Sequence, residues 1–192
     1  MGWDLHLLSL AVLLISSLAC AAGKSADDGA IFDLAKSLSN PPASWGSGGD
    51  VCAYDGITCE RGGSGRVTAI SLRDRGLTGN LSASLSSLTA LKELQLQGNK
   101  LHGDFPSIAG FTDLTRLVLD GNGFTSLPTD FLKDLPSLQY LSLENLPLKP
   151  WAVPDAILGS SSLETFSASN ASIAGSFPAV LANLSSLKYL RL

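Results

Sequence analysis

Histidine, cysteine and methionine are scarce in this 192-residue chain, at two, three and one copies. Zinc needs about four N or S ligands, yet His6 sits in an apolar N-terminal run and His102 stands alone. No metal site and no cofactor are therefore expected. Basic residues are also in deficit: 13 Lys and Arg face 17 Asp and Glu, for a formal net charge of -4. Without a basic stripe to neutralise phosphates, nucleic acid is not expected as a partner. A Gly-rich phosphate loop, a catalytic Asp loop and a D-F-G triplet are all missing, so phosphoryl transfer has no machinery here.

Long apolar runs are lacking too, with one exception. Leu5 to Leu18 is interrupted only by His6, Ser9, Ser16 and Ser17, and small residues follow it, Ala19-Cys20-Ala21-Ala22-Gly23. This is the h-region and cleavage zone of a secretory signal peptide, taken as 1–23, although Asp4 stands where a basic residue is usual. The run is short for a spanning helix. The mature chain is expected outside the cell, with no membrane span of its own. Cys20 leaves with the signal. Cys52 and Cys59 remain as a pair in an oxidising compartment, which predicts a disulfide; its short loop limits the stabilisation to about 2–3 kcal/mol.

What is abundant is leucine at fixed intervals. Val67, Leu91, Leu114, Leu138, Leu163 and Leu187 open successive units separated by 24, 23, 24, 25 and 24 residues. Each opens with the frame L-x-x-L-x-L, cleanest in Leu91-Lys-Glu-Leu94-Gln-Leu96 and Leu114-Thr-Arg-Leu117-Val-Leu119. This period and frame specify an α/β leucine-rich-repeat solenoid, a ladder of short parallel strands without a central pocket. Residues 64–192 hold five complete repeats and a sixth that is truncated, so Leu187, Leu190 and Leu192 are expected at an uncovered end.

Residues 24–63 are expected to cap the first repeat. Ile31, Leu34, Ala35 and Leu38 recur at helical spacing, Asp27 and Asp28 stand ready as helix caps, and Pro41-Pro42 ends the helix. Trp45 and Tyr54 are read as core of this cap. Within the repeats, Asn99 and Asn122 hold the ninth position, where a side-chain amide can satisfy the turn's backbone. Arg75, Leu146 and Ala171 replace it elsewhere, and those turns are expected to be less regular.

The second half of each repeat narrows the class. Leu77-Thr-Gly79-Asn-Leu-Ser82, Leu101-His-Gly103-Asp-Phe-Pro106 and Ile173-Ala-Gly175-Ser-Phe-Pro178 share an L-x-G-x-Φ-P form, with Ser82 in the proline position of the first. This form resembles the plant-specific class of leucine-rich repeats, and the cap resembles their N-terminal disulfide cap. The irregular Leu146-Pro147-Leu148-Lys149-Pro150-Trp151 turn and the Phe166-Ser167-Ala168 strand are similar to the ectodomain of TMK-type (transmembrane kinase) plant receptor kinases. That resemblance implies a receptor fragment acting in cell-surface signalling linked to auxin and growth, with a protein or peptide ligand and a co-receptor among its partners.

Stacked strands place equivalent positions roughly 4.8 Å apart. One outward column reads Ala69, Glu93, Arg116, Tyr140, Thr165 and Tyr189; a second reads Ser71, Gln95, Val118, Ser142, Ser167 and Arg191. Arg116, Val118 and Tyr140 are expected as an exposed partner-binding cluster, since Arg and Tyr anchor interfaces disproportionately. Asp120 and Glu144 complete that face as like-charged neighbours. A catalytic role for them is excluded, because an open wet surface does not shift carboxylate pKa values for acid–base work. Glu93 is expected to pair with Arg116. Asn80, Asn170 and Asn183 open N-x-S/T sequons and are glycan acceptors in a secreted chain. A second reading is a complete secreted repeat protein, such as an inhibitor of microbial wall-degrading enzymes.

Overall fold

A computed structural model of the chain describes residues 27–46, 48–62 and 64–192. The signal segment 1–23, with Cys20, lies outside the described residues. The chain builds α1 (Asp28–Ser37), then β1 (Ile57–Cys59) and β2 (Val67–Ser71). Next come β3 (Thr78–Gly79), β4 (Glu93–Gln95), β5 (Lys100–Asp104), β6 (Arg116–Val118) and β7 (Gly123–Ser126). β8 (Tyr140–Ser142), β9 (Thr165–Ser167) and β10 (Tyr189–Arg191) complete the strands.

Each repeat is one turn of a coil. Its first strand joins a seven-stranded sheet in the order β1-β2-β4-β6-β8-β9-β10, in which every pair but β1–β2 is parallel. A second sheet, β3-β5-β7, stacks the L-x-G segments. The return runs through short 3-10 turns such as Ala83–Ser87 and Asp155–Gly159. The frame leucines explain the coil: Leu91, Leu94 and Leu96 are at most 1% exposed, and Leu114, Leu117 and Leu119 are fully buried. One strand residue in two points inward, so the frame positions fill the interior and the residues between them face out. Aromatics reinforce the interior: Phe105 lies edge-on to Phe124 and Phe131, and Phe131 to Trp151.

The cap covers the first edge of both sheets, where unpaired strand backbone would otherwise invite association. β1 adds antiparallel to β2. After α1 the chain turns extended at Leu38, which bridges Gly79 of β3, and Ser39 N–H donates to the Thr78 carbonyl at 2.9 Å. Gly79 is needed there: its φ is +108°, and an added Cβ would stand 2.5 Å from the Ser37 carbonyl oxygen. Trp45 and Tyr54 are buried and stack at 6.4 Å, and the Cys52–Cys59 disulfide ties the 3-10 turn Val51–Ala53 to the end of β1.

Asp27 behaves differently from expectation. It occupies the N-cap position of α1 but makes no side-chain cap hydrogen bond. Its buried carboxylate instead accepts from Val67 N–H at 2.7 Å and from Arg66 Nε at 3.1 Å, tying the cap to β2. The backbone N–H that opens the sheet offers a fixed buried donor, whereas a helix start can be served by water.

The turns after the main strands follow the sequence reading only in part. Asp74, Gly98, Gly121, Asn145 and Asn170 hold one equivalent position, and all have positive φ. That residue keeps its conformation whether or not an Asn follows, but the first and fifth repeats, which lack the Asn, take a second positive-φ residue at Gly76 and Ser172. The amides work across repeats: Asn99 Oδ1 accepts from Arg75 N–H and Leu77 N–H of the preceding repeat, while its Nδ2 donates to the Leu72 and Leu96 carbonyls. Asn122 accepts from Leu101 N–H and donates to the carbonyls of Leu96 and Leu119. Arg75 thus needs no amide of its own. Further irregularity falls later, where the second sheet thins after β7 to a single Trp151–Ile173 bridge and Trp151 Nε1 donates to the Ala171 carbonyl.

Replacing Asp27 by Ala leaves Arg66 and a buried N–H without their carboxylate, and should cost about 3 kcal/mol of unfolding free energy. Asn122→Ala strands one buried N–H and two carbonyls and should cost about 2–4 kcal/mol. Denaturant melts of both variants check these values; a loss below about 1 kcal/mol in either would refute its role.

Candidate functional site

The outward face of the main sheet carries the predicted partner-binding residues. Its register places Glu93, Arg116, Tyr140, Thr165 and Tyr189 on successive strands as one column, and Gln95, Val118, Ser142, Ser167 and Arg191 as the next. Main-strand residues pair one to one, so the columns run straight across the sheet.

Arg116 and Tyr140 come together. The guanidinium carbon stands 4.0 Å from the Tyr140 ring centroid, a cation–π contact between half-buried side chains. The expected Glu93–Arg116 ion pair does not form; Glu93 accepts from Gln95 Nε2 at 2.7 Å instead. Val118 is a second correction. It is only 5% exposed, because it lies in the middle column between the longer Arg116 and Asp120 of its own chain segment. Ser142 and Ser167 continue that column and are buried as well. The three form the floor of a shallow trough rather than part of an exposed cluster.

Asp120 and Glu144 form the opposite wall, and they are neither free nor fully wet. Asp120 Oδ1 accepts from Glu144 N–H at 2.8 Å. Glu144 Oε1 accepts a short hydrogen bond from Ser167 Oγ and lies 3.5 Å from Arg191. Burial holds the Asp120 carboxyl above its ordinary value of 3.8; hydrogen bonds from Ser142 and from Glu144 N–H act against that rise, and the Glu144 charge adds to it. The trough widens toward β10 into a cleft of about 490 Å³ lined by Tyr140, Glu144, Thr165, Ser167, Tyr189 and Arg191. Arg191 and Tyr189 extend the site beyond the residues singled out from sequence. Their place in the columns was the available signal.

The sequon residues Asn80, Asn170 and Asn183 are all exposed. Asn170 sits at the rim of the outward face, where its Nδ2 donates to Asn145 Oδ1 at 3.1 Å. Asn183 closes the 3-10 turn Ala179–Asn183 on the return side of its repeat. Among the described residues, no group of three or more His, Cys, Asp or Glu side chains is placed to hold a metal ion, and no helix is long and apolar enough to cross a membrane.

No protein-family model matches the chain. Receptor protein kinase WSS1 of Oryza sativa subsp. japonica is 60% identical over 180 residues, covering 92% of this chain and 19% of that protein. Receptor-like kinase TMK2 of Arabidopsis thaliana is 38% identical over 189 residues, covering 94% of this chain and 21% of that protein. The chain belongs to the leucine-rich-repeat ectodomains of TMK-type plant receptor kinases. Among solved structures, the LRR ectodomain of the receptor kinase SOBIR1 from Arabidopsis thaliana superposes with a TM-score of 0.70 at 26% identity, over 85% of this chain and 90% of that one. This TMK-type ectodomain chain spans about a fifth of the length of the curated relatives it matches.

The raised pKa of Asp120 gives the ectodomain a measurable pH signature. Its native state holds that proton more tightly than the unfolded chain does. The group therefore favours folding as pH falls from neutrality toward 3.8 and opposes it as pH rises. Asp120→Asn keeps an acceptor for Glu144 N–H and removes the titration. The variant should melt at or above the wild-type temperature near pH ~7, and its advantage should shrink on acidification. An advantage that grows toward acid would contradict the assignment.

Proposed function

We propose that this chain is the extracellular partner-binding part of a TMK-type receptor, that it recognises a protein or peptide, a co-receptor among them, on the outward face of its main sheet, and that it binds rather than catalyses. In this reading 1–23 is a cleaved signal peptide, 24–63 the cap and 64–192 the repeats, the sixth incomplete. Asn80, Asn170 and Asn183 carry glycans, and binding feeds cell-surface signalling linked to auxin and growth.

The Arg116–Tyr140 contact carries the proposal. It presents a rigid aromatic and a guanidinium at the edge of a trough floored by Val118, Ser142 and Ser167. Rigid Tyr and Arg groups lose little conformational entropy on binding and dominate interface energetics. Catalysis is disfavoured by the same geometry, since both carboxylates are engaged on an open sheet face, Asp120 by the Glu144 N–H and Ser142 and Glu144 by the Ser167 hydroxyl.

A photo-crosslinking residue placed at Thr165, on the trough, is compared with one at Ala182, in the 3-10 turn of the return side, in protein secreted from plant cells and returned to the cell surface. A discrete protein or peptide adduct from position 165 and none from 182 is the expected result. An adduct from 182 alone would place recognition on the other side of the coil.

A further inference from the structure

We propose that Arg116 and Tyr140 form an anchor for a carboxylate, supplied by an acidic side chain within an extended segment of the partner protein. This rests on the outward-face reading above and adds the chemistry of what is recognised there.

Several charges on this face are already engaged. Glu93 holds Gln95, Asp120 holds the Glu144 N–H, and Glu144 holds Ser167 and faces Arg191. Lys188 is paired with Glu164 at 2.9 Å. The acids that would recruit a basic partner are turned into the strand ladder. Arg116 is the contrast. The Tyr140 ring lies against its guanidinium, yet among the described residues the guanidinium N–H groups have no hydrogen-bond partner and no carboxylate lies within ion-pair distance. A guanidinium fixed in orientation, with its planar fork unpaired, matches a carboxylate in a bidentate arrangement.

The column beyond it decides the kind of molecule. Tyr140, Thr165 and Tyr189 follow in register on strands roughly 4.8 Å apart, and each carries a hydroxyl group. Glu93 stands in register on the other side of Arg116, and Glu144 across the trough. A polyuronate chain repeats its negative charge along its length and would carry it past these acids. A peptide can place one carboxylate at Arg116 and neutral carbonyls opposite the hydroxyls. Charge complementarity at a single point therefore favours a protein segment.

The test uses the signal-free chain and a blocked peptide, acetyl-Gly-Gly-Glu-Gly-Gly-amide, followed by NMR at the Arg116 Nε–Hε and Tyr140 ring resonances. Counterparts carry Gln or Lys in the central position, and trigalacturonate serves as a non-peptide carboxylate. Saturable shifts with the Glu peptide are expected, with affinity at least about tenfold above the Gln peptide. Arg116→Gln should abolish the difference, and Arg116→Lys should restore only part of it, since charge returns without the fork. Melting curves confirm that both variants fold. Equal binding of the Gln or Lys peptide, unmoved resonances, or an affinity unaffected by Arg116→Gln would overturn the anchor. Tighter binding of trigalacturonate would overturn the protein source. If position 165 still crosslinks a partner in the Arg116→Gln chain with undiminished yield, the face reading stands and the anchor alone fails.

Discussion

The burial of the leucine frame at a nearly constant period is the constraint on which everything else rests. A short strand of three residues, such as β6 or β8, cannot hold its register alone. It is held because Leu117, Leu141 and Phe166 stack inside the coil, directly across from one another, all fully buried. A slip of one residue would turn each of them outward and bring polar residues into the core. Once this stack is fixed, the outward columns are fixed as well, and so is the meeting of Arg116 with Tyr140.

Two devices keep the stack continuous. Buried Asn amides pair with backbone groups of their own and the preceding repeat, so adjacent coils share hydrogen bonds that neither could complete alone. The cap supplies the remaining partners at the first edge, with β1 on the main sheet, Leu38 on the second and Asp27 locking the two parts together. The result is a scaffold whose binding face needs no loop to shape it. Its chemistry is set by single side chains on rigid strands, and a family can change its partners by changing those side chains without disturbing the leucines behind them.

The relation to TMK-type receptor ectodomains agrees with the distribution of irregularity along the coil. The Pro-rich turn before Trp151 breaks the second sheet, yet the main sheet passes from β8 to β9 without a shift in register. Trp151 compensates by filling space against Phe131 and donating to the Ala171 carbonyl. Variation is thus absorbed on one side of the coil while the other remains an unbroken surface.

The sequence by itself determined the coil, its register and the membership of each outward column, because those follow from period and alternation alone. It also marked Asn99 and Asn122 as amides that satisfy turn backbone and Cys52 with Cys59 as a pair. Tertiary structure alone decided which column residues are reachable and which charges are engaged. Val118 reads as exposed by alternation and is buried by its neighbours' length; Asp120 and Glu144 read as free charges and are held by hydrogen bonds from adjacent strands. Asp27 reads as a helix cap and serves a strand 40 residues away in sequence. Periodicity specifies direction, but side-chain reach and partner choice depend on groups distant in sequence, which only the folded coil brings together.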